Sequence, residues 1–216
     1  MDRGDPETAR FWVKARQPGG EAFGMQHRNS HFAVGYWSRL RRGRRVPDQA
    51  DIDPKALKRI LPFVFLLDGR PDGRFVYRLA GTGLCERYGT EMRGLSFLAM
   101  WDTASRPRLA ADMRDSLAAA LPLSVCSIGA TQDCRMVEIE TILMPLTNGS
   151  PAPHQFFGLA SLTSEPTAVA GRVMRFERLV DSSLLREECP DTPGVVIPAA
   201  QLAQPRAPHL RLVVSQ

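Results

Sequence analysis

The sequence lacks the marks of a secreted, membrane-spanning or zinc-binding protein. Its longest apolar run is ILPFVFLL, residues 60–67, which is too short to cross a bilayer. The first twenty residues mix acidic and basic side chains without an apolar segment, so no secretory signal is expected. No metal-ligand spacing occurs among the four cysteines, which are Cys85, Cys126, Cys134 and Cys189. We therefore expect a cytoplasmic protein with reduced thiols, no metal site and no membrane association.

Signatures of the common enzyme classes are also missing. The chain has no G-x-S-x-G elbow, no H-E-x-x-H pair, no phosphate-binding loop and no kinase motif. The turn Gly81-Thr82-Gly83 has two close glycines, but the helix predicted after it is too short for a dinucleotide site. We predict that the chain is not an enzyme. An unrecognised small-molecule enzyme is kept as the third hypothesis, after a sensory module and an anion receptor.

Positive charge is confined to one segment. The chain has 28 Lys and Arg against 23 Asp and Glu, a net charge of +5. Residues 36–60 contain eight Arg or Lys and three Asp, so this segment accounts for the whole excess. One short patch on a nearly neutral protein is not typical of DNA-binding proteins. Nucleic acid is therefore not an expected partner.

Residue patterns near the N-terminus predict an arm followed by two helices. Residues 1–30 carry Gly, Pro and mixed charge with little periodicity, which predicts a flexible N-terminal arm. Apolar residues at i, i+3, i+4 and i+7 predict an amphipathic helix over residues 31–45. Asp53 followed by Pro54 is a helix-opening pair, so the segment DPKALKRIL is predicted to be a short helix.

The following residues alternate between strands and helices. FVFLLD and RFVYRLA, separated by GRPDG, predict a β-hairpin. Short helices near 84–88 and 96–100 and a longer one over 105–120 come next, and then the strands LSVCSIGAT, MVEIETILMPL and QFFGLASL. The prediction is an α+β fold with a five-stranded antiparallel sheet, helices over one face and the order β-β-α-α-α-β-β-β. A C-terminal helix is expected within 166–189, and a Pro-rich disordered tail over 190–216.

These elements and their motifs resemble a PAS domain. The motifs are the Asp-Pro segment, the apolar strand FVFLLD, the turn R-L-A-G-T, the corner Y-G-x-E-x-x-G and the strand MVEIETILMPL. More narrowly, residues 31–165 resemble a PAS subfamily found in alphaproteobacterial proteins and often described only as a domain of unknown function. PAS domains hold ligands between helices and the inner face of an antiparallel sheet. The resemblance therefore implies a sensory module that binds a small molecule or a signalling protein. Because the chain has no attached kinase or cyclase signature, we expect it to act in trans.

The sequence lacks the residues with which PAS domains bind flavin photochemically or bind haem through histidine. Photochemical flavin binding in related light sensors uses a cysteine in an N-C-R-F-L-Q-type helix, and the corresponding segment RGLSFLAMW has none. Haem usually needs an axial histidine, and no histidine occurs between Phe32 and Pro153. We therefore expect no cofactor, with photochemical flavin and His-ligated haem argued against.

Six residues are predicted to line a ligand pocket between the helices and the sheet. They are Tyr77, Tyr88, Phe97, Trp101, Met113 and Cys126. Tyr88, Phe97 and Trp101 are the favoured contacts, since they lie on the helices expected to cover the sheet. The alternative is that the same side chains only fill the core. Glu138 and Glu140 share one face of their strand and are expected to meet solvent or to pair with Arg74 or Arg78.

The amphipathic helix supports two hypotheses. Its apolar residues Tyr36, Trp37 and Leu40 are predicted to form a homodimer contact. The spacing R-x-x-x-R is also used to grip the phosphates of cyclic dinucleotides, so the alternative function is an anion receptor. The D/N-x-S-x-x-G element that accompanies this spacing in PilZ-type receptors is absent. The anion-binding residues would be Arg41, Arg42, Arg44 and Arg45.

Overall fold

An antiparallel sheet forms the middle of the protein, in a computed structural model that describes residues 12–14, 25–164 and 170–187. Neighbouring strands are antiparallel throughout, in the order β1-β7-β4-β5-β6-β2-β3. The strands are β1 (Trp12–Lys14), β2 (Val64–Gly69), β3 (Phe75–Ala80), β4 (Leu123–Thr131), β5 (Met136–Leu146), β6 (Gln155–Leu162) and β7 (Met174–Glu187).

Three α-helices and three short 3₁₀ segments accompany the sheet in the described part of the chain. The helices are α1 (Arg28–Arg41), α2 (Thr82–Tyr88) and α3 (Arg106–Ala119). The 3₁₀ segments are Gln49–Asp51, Leu61–Phe63 and Phe97–Met100. None of these helices is long and apolar enough to cross a membrane.

The two faces of the sheet carry separate apolar cores. On the inner face, α2, α3 and the 3₁₀ segment at 97–100 cover a core that includes Phe65, Val125 and Leu143. On the outer face, α1 packs across β5 and β6 over a core that includes Ile142 and Leu159. Because successive side chains of a strand point to opposite faces, β5 contributes to both cores.

Helix α1 is fixed to the outer face at both ends. Near its start, the carboxylate of Glu140 on β5 accepts hydrogen bonds from the backbone N–H groups of Gln26 at 2.7 Å and His27 at 3.2 Å. Further along, the indole Nε1 of Trp37 donates to the carbonyl oxygen of Pro145 at 2.7 Å. The expectation that Glu140 meets solvent or pairs with Arg74 or Arg78 is wrong, because the residue is only 1 % exposed and its carboxylate faces the positive end of α1.

The predicted α+β fold with an antiparallel sheet is confirmed, with differences in strand number and in helix placement. The five predicted strands correspond to β2 to β6, and β1 and β7 are additional. Helices lie over both faces instead of one, since α1 covers the outer face. The DPKALKRIL segment is not a helix: residues 54–60 form successive turns with N–H groups bonded three residues back. So short a segment ahead of Pro62 cannot offset the cost of helix nucleation.

The predicted C-terminal helix is wrong where the structure describes it. Met174–Glu187 is β7, which pairs with β4 along most of its length. Helix α1 begins at Arg28, so the last residues of the predicted arm are helical. The rest of that arm lies outside the described residues, except for β1 and the three residues before α1. The predicted tail over 190–216 lies wholly outside them.

Candidate functional site: a buried carboxylate between α2 and β7

Close packing of glycines places α2 against the chain that precedes β2. A Cβ atom on Gly81 would lie 2.4 Å from the carbonyl oxygens of Leu61 and Pro62. A Cβ atom on Gly83 would lie 2.6 Å from the ring of Phe63. Only glycine permits this approach without a shift of backbone or ring. The Gly-Thr-Gly turn therefore serves to pack α2 on the 3₁₀ segment at 61–63.

Helix α2 then directs three side chains toward the sheet. Leu84, Arg87 and Tyr88 are buried, and the helix ends at Gly89, which adopts a left-handed φ of 64°. Glycine is favoured at this position because it lacks the Cβ atom that makes left-handed φ costly. The short helix thus brings a guanidinium and a phenol into the inner core.

The phenol of Tyr88 meets a buried carboxylate. Its hydroxyl donates a hydrogen bond to Glu177 on β7. The hydroxyl of Ser127 on β4 donates to the other carboxylate oxygen at 2.6 Å. Glu177 is 4 % exposed, so the three side chains connect α2, β4 and β7 inside the protein. We call Tyr88, Ser127 and Glu177 the carboxylate cluster.

Burial perturbs the protonation of this cluster. It raises the pKa of Glu177, although the hydrogen bonds from Ser127 and Tyr88 and the charge of Arg87 act in the opposite direction. Burial, reinforced by the charge of Glu177, also raises the pKa of Tyr88 and of nearby Tyr77 well above 10.0. Strongly perturbed groups of this kind occur more often at functional sites than elsewhere.

Arg87 supplies a compensating positive charge. It is 7 % exposed, its Nη1 donates to the carbonyl oxygen of Ala160 at 3.4 Å, and its guanidinium carbon lies 5.0 Å from the centroid of the Phe63 ring. Burial lowers the pKa of Arg87, and the negative charge that Glu177 carries when ionised opposes this shift. A buried carboxylate and a buried guanidinium thus partly offset each other's desolvation cost.

Aromatic rings pack beside the carboxylate cluster. Ring centroids lie 5.5 Å apart for Phe65 and Tyr77, 5.8 Å for Tyr77 and Phe97, and 5.8 Å for Phe97 and Trp101. The backbone also links this group to β7, because the N–H of Asp102 donates to the carbonyl oxygen of Glu177 at 2.8 Å. The region combines an apolar, aromatic wall with one hydrogen-bonded acid.

Five of the six predicted ligand residues lie together in the inner core. They are Tyr77, Tyr88, Phe97, Trp101 and Met113. The predicted position of Cys126 is wrong: this residue is half-buried on the outer face, where it lines a groove. The reason is the two-residue alternation of β4, which turns Val125 and Ser127 inward. Ligand binding by the other five stays a prediction.

The predicted dimer contact is contradicted by the packing of α1. Trp37 is fully buried and Tyr36 is 7 % exposed, both against the sheet of the same chain. Leu40 packs half-buried beside them. An apolar helix face indicates burial, but the surface that buries it here is intramolecular.

The four arginines proposed for anion binding lie at or just beyond the end of α1 and diverge. Arg44 donates to Asp51 at 2.6 Å, and Arg45 donates to the carbonyl oxygen of Ala118 at 3.1 Å. Arg41 stands over the ring of Trp37, 5.2 Å from its centroid, and Arg42 ends the helix in a left-handed conformation. Anion binding by this group stays a prediction.

Three residues of the site escaped the sequence analysis: Glu177, Ser127 and Arg87. Glu177 reaches the core only because its segment is a strand beside β4, and that segment was predicted to be a helix. Ser127 and Arg87 are single polar residues in otherwise ordinary patterns, so no sequence signal distinguishes them. Among the described residues, no group of three or more His, Cys, Asp or Glu could hold a metal ion.

Comparison with known families decides the classification. A sequence model of the PAS domain family matches residues 25–161, more than half of the chain. The chain belongs to the PAS domain family. PAS domains are sensory modules, so a sensory class of function follows from the family. No curated protein matches this chain.

Several solved structures are similar to this PAS domain. One is a light-oxygen-voltage domain studied with a flavin analogue, with 18% identity, a TM-score of 0.42 and coverage of 54% of this chain and 88% of that chain. A Rhodobacter sphaeroides light-oxygen-voltage protein has 18% identity, a TM-score of 0.41 and coverage of 53% and 70%. An RNA-binding light-oxygen-voltage receptor has 14% identity, a TM-score of 0.41 and coverage of 76% and 41%.

The prediction that the chain carries no cofactor is wrong. Solved structures that it is similar to include light-oxygen-voltage domains, one of them described with a flavin analogue. The sequence argument relied on the missing cysteine of the photochemical adduct. That cysteine is needed for a covalent bond to flavin, whereas a flat ring system can also be held by packing and hydrogen bonds alone.

Proposed function

We propose that this PAS domain is a cytoplasmic sensory module in which the carboxylate cluster detects a small ligand or a signalling protein and passes the change on in trans. The observation that carries the proposal is the hydrogen bond from Tyr88 to Glu177 inside an apolar core. An ionisable group is costly to bury, and apolar side chains of similar volume often stabilise a core equally well or better. The cluster therefore has a function beyond stability.

The cluster joins the parts that a sensor has to move. Tyr88 is the last residue of α2, and Glu177 lies on β7, so the hydrogen bond ties a short helix to the sheet. A ligand that brings its own N–H or O–H donor to Glu177 would take the place of the phenol. Helix α2 would then lose its polar attachment to β7. Such an exchange gives the two discrete arrangements that a switch requires.

Entry of a ligand requires the aromatic wall to move. The rings of Tyr77, Phe97 and Trp101 pack against one another at centroid distances of 5.8 Å. Phe97 belongs to a 3₁₀ segment of four residues, a weaker element than the strands beneath it. We infer that this segment opens first.

We assign no catalytic step to the cluster. A carboxylate that is 4 % exposed cannot reach a substrate in solution unless the core opens. Reduced thiols fit the proposed cytoplasmic setting, since Cys85 and Cys134 are free thiols. The output would pass to a separate protein.

The proposal is tested on the full chain purified without added ligand. Native mass spectrometry and an absorption spectrum report any bound molecule, flavin included. A metabolite panel is then screened by thermal shift. Tyr88→Phe is expected to lower the ligand Kd at least tenfold, because the ligand no longer has to displace the phenol from Glu177.

The matched control is Tyr36→Phe. Tyr36 is also a buried tyrosine, and its oxygen accepts the backbone N–H of Asp53 at 2.8 Å, but it lies on the outer face. Its loss should leave ligand occupancy unchanged. The proposal fails if Tyr88→Phe and Tyr36→Phe bind the ligand equally. It also fails if the wild type neither carries nor binds a small molecule and no signalling partner binds Tyr88→Phe differently from the wild type.

A further inference from the structure

Part of the outer face of the sheet is not covered by α1. On the side of β5 away from β6, three large apolar side chains are exposed: Met136 is 66 % exposed, Phe176 42 % and Val180 55 %. They surround the outward-facing residues Ile128 and Ala130 of β4, both half-buried. We call these five residues, with Glu138 and Arg178, the open face. Contiguous exposed apolar side chains mark interaction surfaces more often than isolated ones do.

Strand register arranges the open face in two rows centred on β4. In the first row, Ala130 pairs with Met136 on one side and with Phe176 on the other. In the second row, Ile128 pairs with Glu138 and with Arg178. Paired residues of neighbouring strands point to the same face. Each row therefore has a residue of β4 at its centre. Two apolar side chains flank Ala130 in the first row, and two side chains of opposite charge flank Ile128 in the second.

A groove of about 250 Å³ continues the open face beyond the second row. Its lining includes Cys126, Ile128, Glu138 and Val180. Val180 is the extra residue of a bulge in β7, opposite the step from Cys126 to Ser127, and it lines the groove while being 55 % exposed. When two copies of one surface face each other, a projecting side chain of each copy can fit into the groove of the other.

The charges of the second row select one way of opposing two copies. A two-fold axis that runs along β4, midway between two facing sheets, exchanges the β5 side with the β7 side. It sets Glu138 of one copy over Arg178 of the other, twice per dimer, and Met136 over Phe176. An axis across the strands would oppose Glu138 to Glu138. Because like charges in apposition are unfavourable, the pattern favours the axis along β4.

We propose that the open face is the interface between two copies of this chain, related by a two-fold axis along β4. Arg178 is available for this contact: its Nε donates to Asp102 at 2.9 Å while its side chain is still 68% exposed. Glu138 is exposed as well. This interface replaces the contact through α1, whose apolar residues are already buried, and it uses the opposite face from the carboxylate cluster.

Charge reversal gives a direct test with the full chain. In Glu138→Arg, two Arg–Arg contacts would oppose association, and in Arg178→Glu two Glu–Glu contacts would do so. Each variant alone is expected to be monomeric in light scattering coupled to size exclusion. When the two are mixed, both contacts become Arg–Glu pairs, so a heterodimer is expected in native mass spectrometry. Its recovery would also show that both variants are folded.

An apolar pair of variants provides the control. Met136→Glu is expected to raise the dimer Kd at least tenfold. Leu79→Glu replaces another exposed apolar residue, 47 % exposed on β3, and should leave it unchanged. The proposal is overturned if the wild type is monomeric up to about 100 µM, far above the Kd of a specific interface. In that case the open face does not bind a second copy of the chain, and a different protein would be its partner. A mixture that stays monomeric, or Leu79→Glu as disruptive as Met136→Glu, overturns it too.

Discussion

Removing the hydroxyl of Tyr88 is the most informative single change in this protein. Tyr88→Phe keeps the ring in the inner core and deletes only the donor to Glu177. The carboxylate then keeps the hydroxyl of Ser127, at 2.6 Å, as its remaining side-chain donor in the cluster. The effect on the free energy of unfolding therefore reports the hydrogen bond and little else.

The expected loss follows from the charge of the acceptor. A hydrogen bond to a charged group contributes about 1.5–3 kcal/mol, whereas one between neutral groups contributes about 0.5–1.5 kcal/mol. Tyr88→Phe should cost an amount in the first range when Glu177 is ionised. Tyr36→Phe should cost an amount in the second, because Tyr36 accepts from the backbone N–H of Asp53.

The loss should also depend on pH. Burial raises the pKa of Glu177 above its ordinary 4.5, so the folded protein holds this proton more tightly than the unfolded chain. The cost of ionising Glu177 is absent below 4.5 and fully present above the folded pKa. The hydrogen bond from Tyr88 lowers the pKa of Glu177, so its removal increases the cost of ionising Glu177 in the folded protein. Tyr88→Phe should therefore be more damaging near neutral pH than near pH 4.5.

Urea unfolding measures both effects. The buried rings of Trp37 and Trp101 supply the fluorescence signal, and free energies are compared at about pH 7.5 and about pH 4.5. Equal losses for Tyr88→Phe and Tyr36→Phe, or a Tyr88→Phe loss that does not change with pH, would refute the charged hydrogen bond.

Three further changes probe the packing on the outer face and around Phe65, and each is measured against wild type. Trp37→Ala should cost about 3–5 kcal/mol in urea unfolding, because it empties a fully buried site and removes the bond to Pro145; a loss near zero would contradict this packing. Gly158→Ala should cost about 1–3 kcal/mol in the same assay, since its Cβ atom would lie 2.2 Å from the ring of Phe65. Glu140→Gln should weaken the start of α1 by up to about 2 kcal/mol, seen as faster amide hydrogen exchange confined to the first turn.

Strand β7 shows where local sequence patterns stop being informative. A strand with one buried face normally alternates between apolar and polar residues. In β7, register shifts opposite Cys126/Ser127 and Ala130/Thr131 interrupt that alternation. Leu, Arg and Glu in MRFERLVDSSLLRE also favour helices in isolation. Pairing with β4 overrides this preference, and Glu177 enters the core as a result.

Helix α1 illustrates a second limit. Its apolar residues Tyr36, Trp37 and Leu40 were predicted to form a homodimer contact, but they pack against the sheet of the same chain. An apolar stripe carries no information about what covers it, because a second copy and a sheet of the same chain offer the same apolar environment. Because of the chain connectivity, α1 packs on the sheet of its own chain, and the open face beside α1 stays available for other contacts.

The sequence by itself determined the elements whose signals are local: the hairpin of β2 and β3, the three long strands β4 to β6, and the position of α3. These features depend on residues near one another in the chain, so patterns and motifs identify them and with them the PAS family. Only the tertiary structure decided which face of the sheet each helix covers, that Glu177 meets Tyr88 and Ser127, and that Cys126 points away from them. Contacts between distant segments set these features, because a buried charge and a covered face are defined by neighbours that the local sequence does not specify.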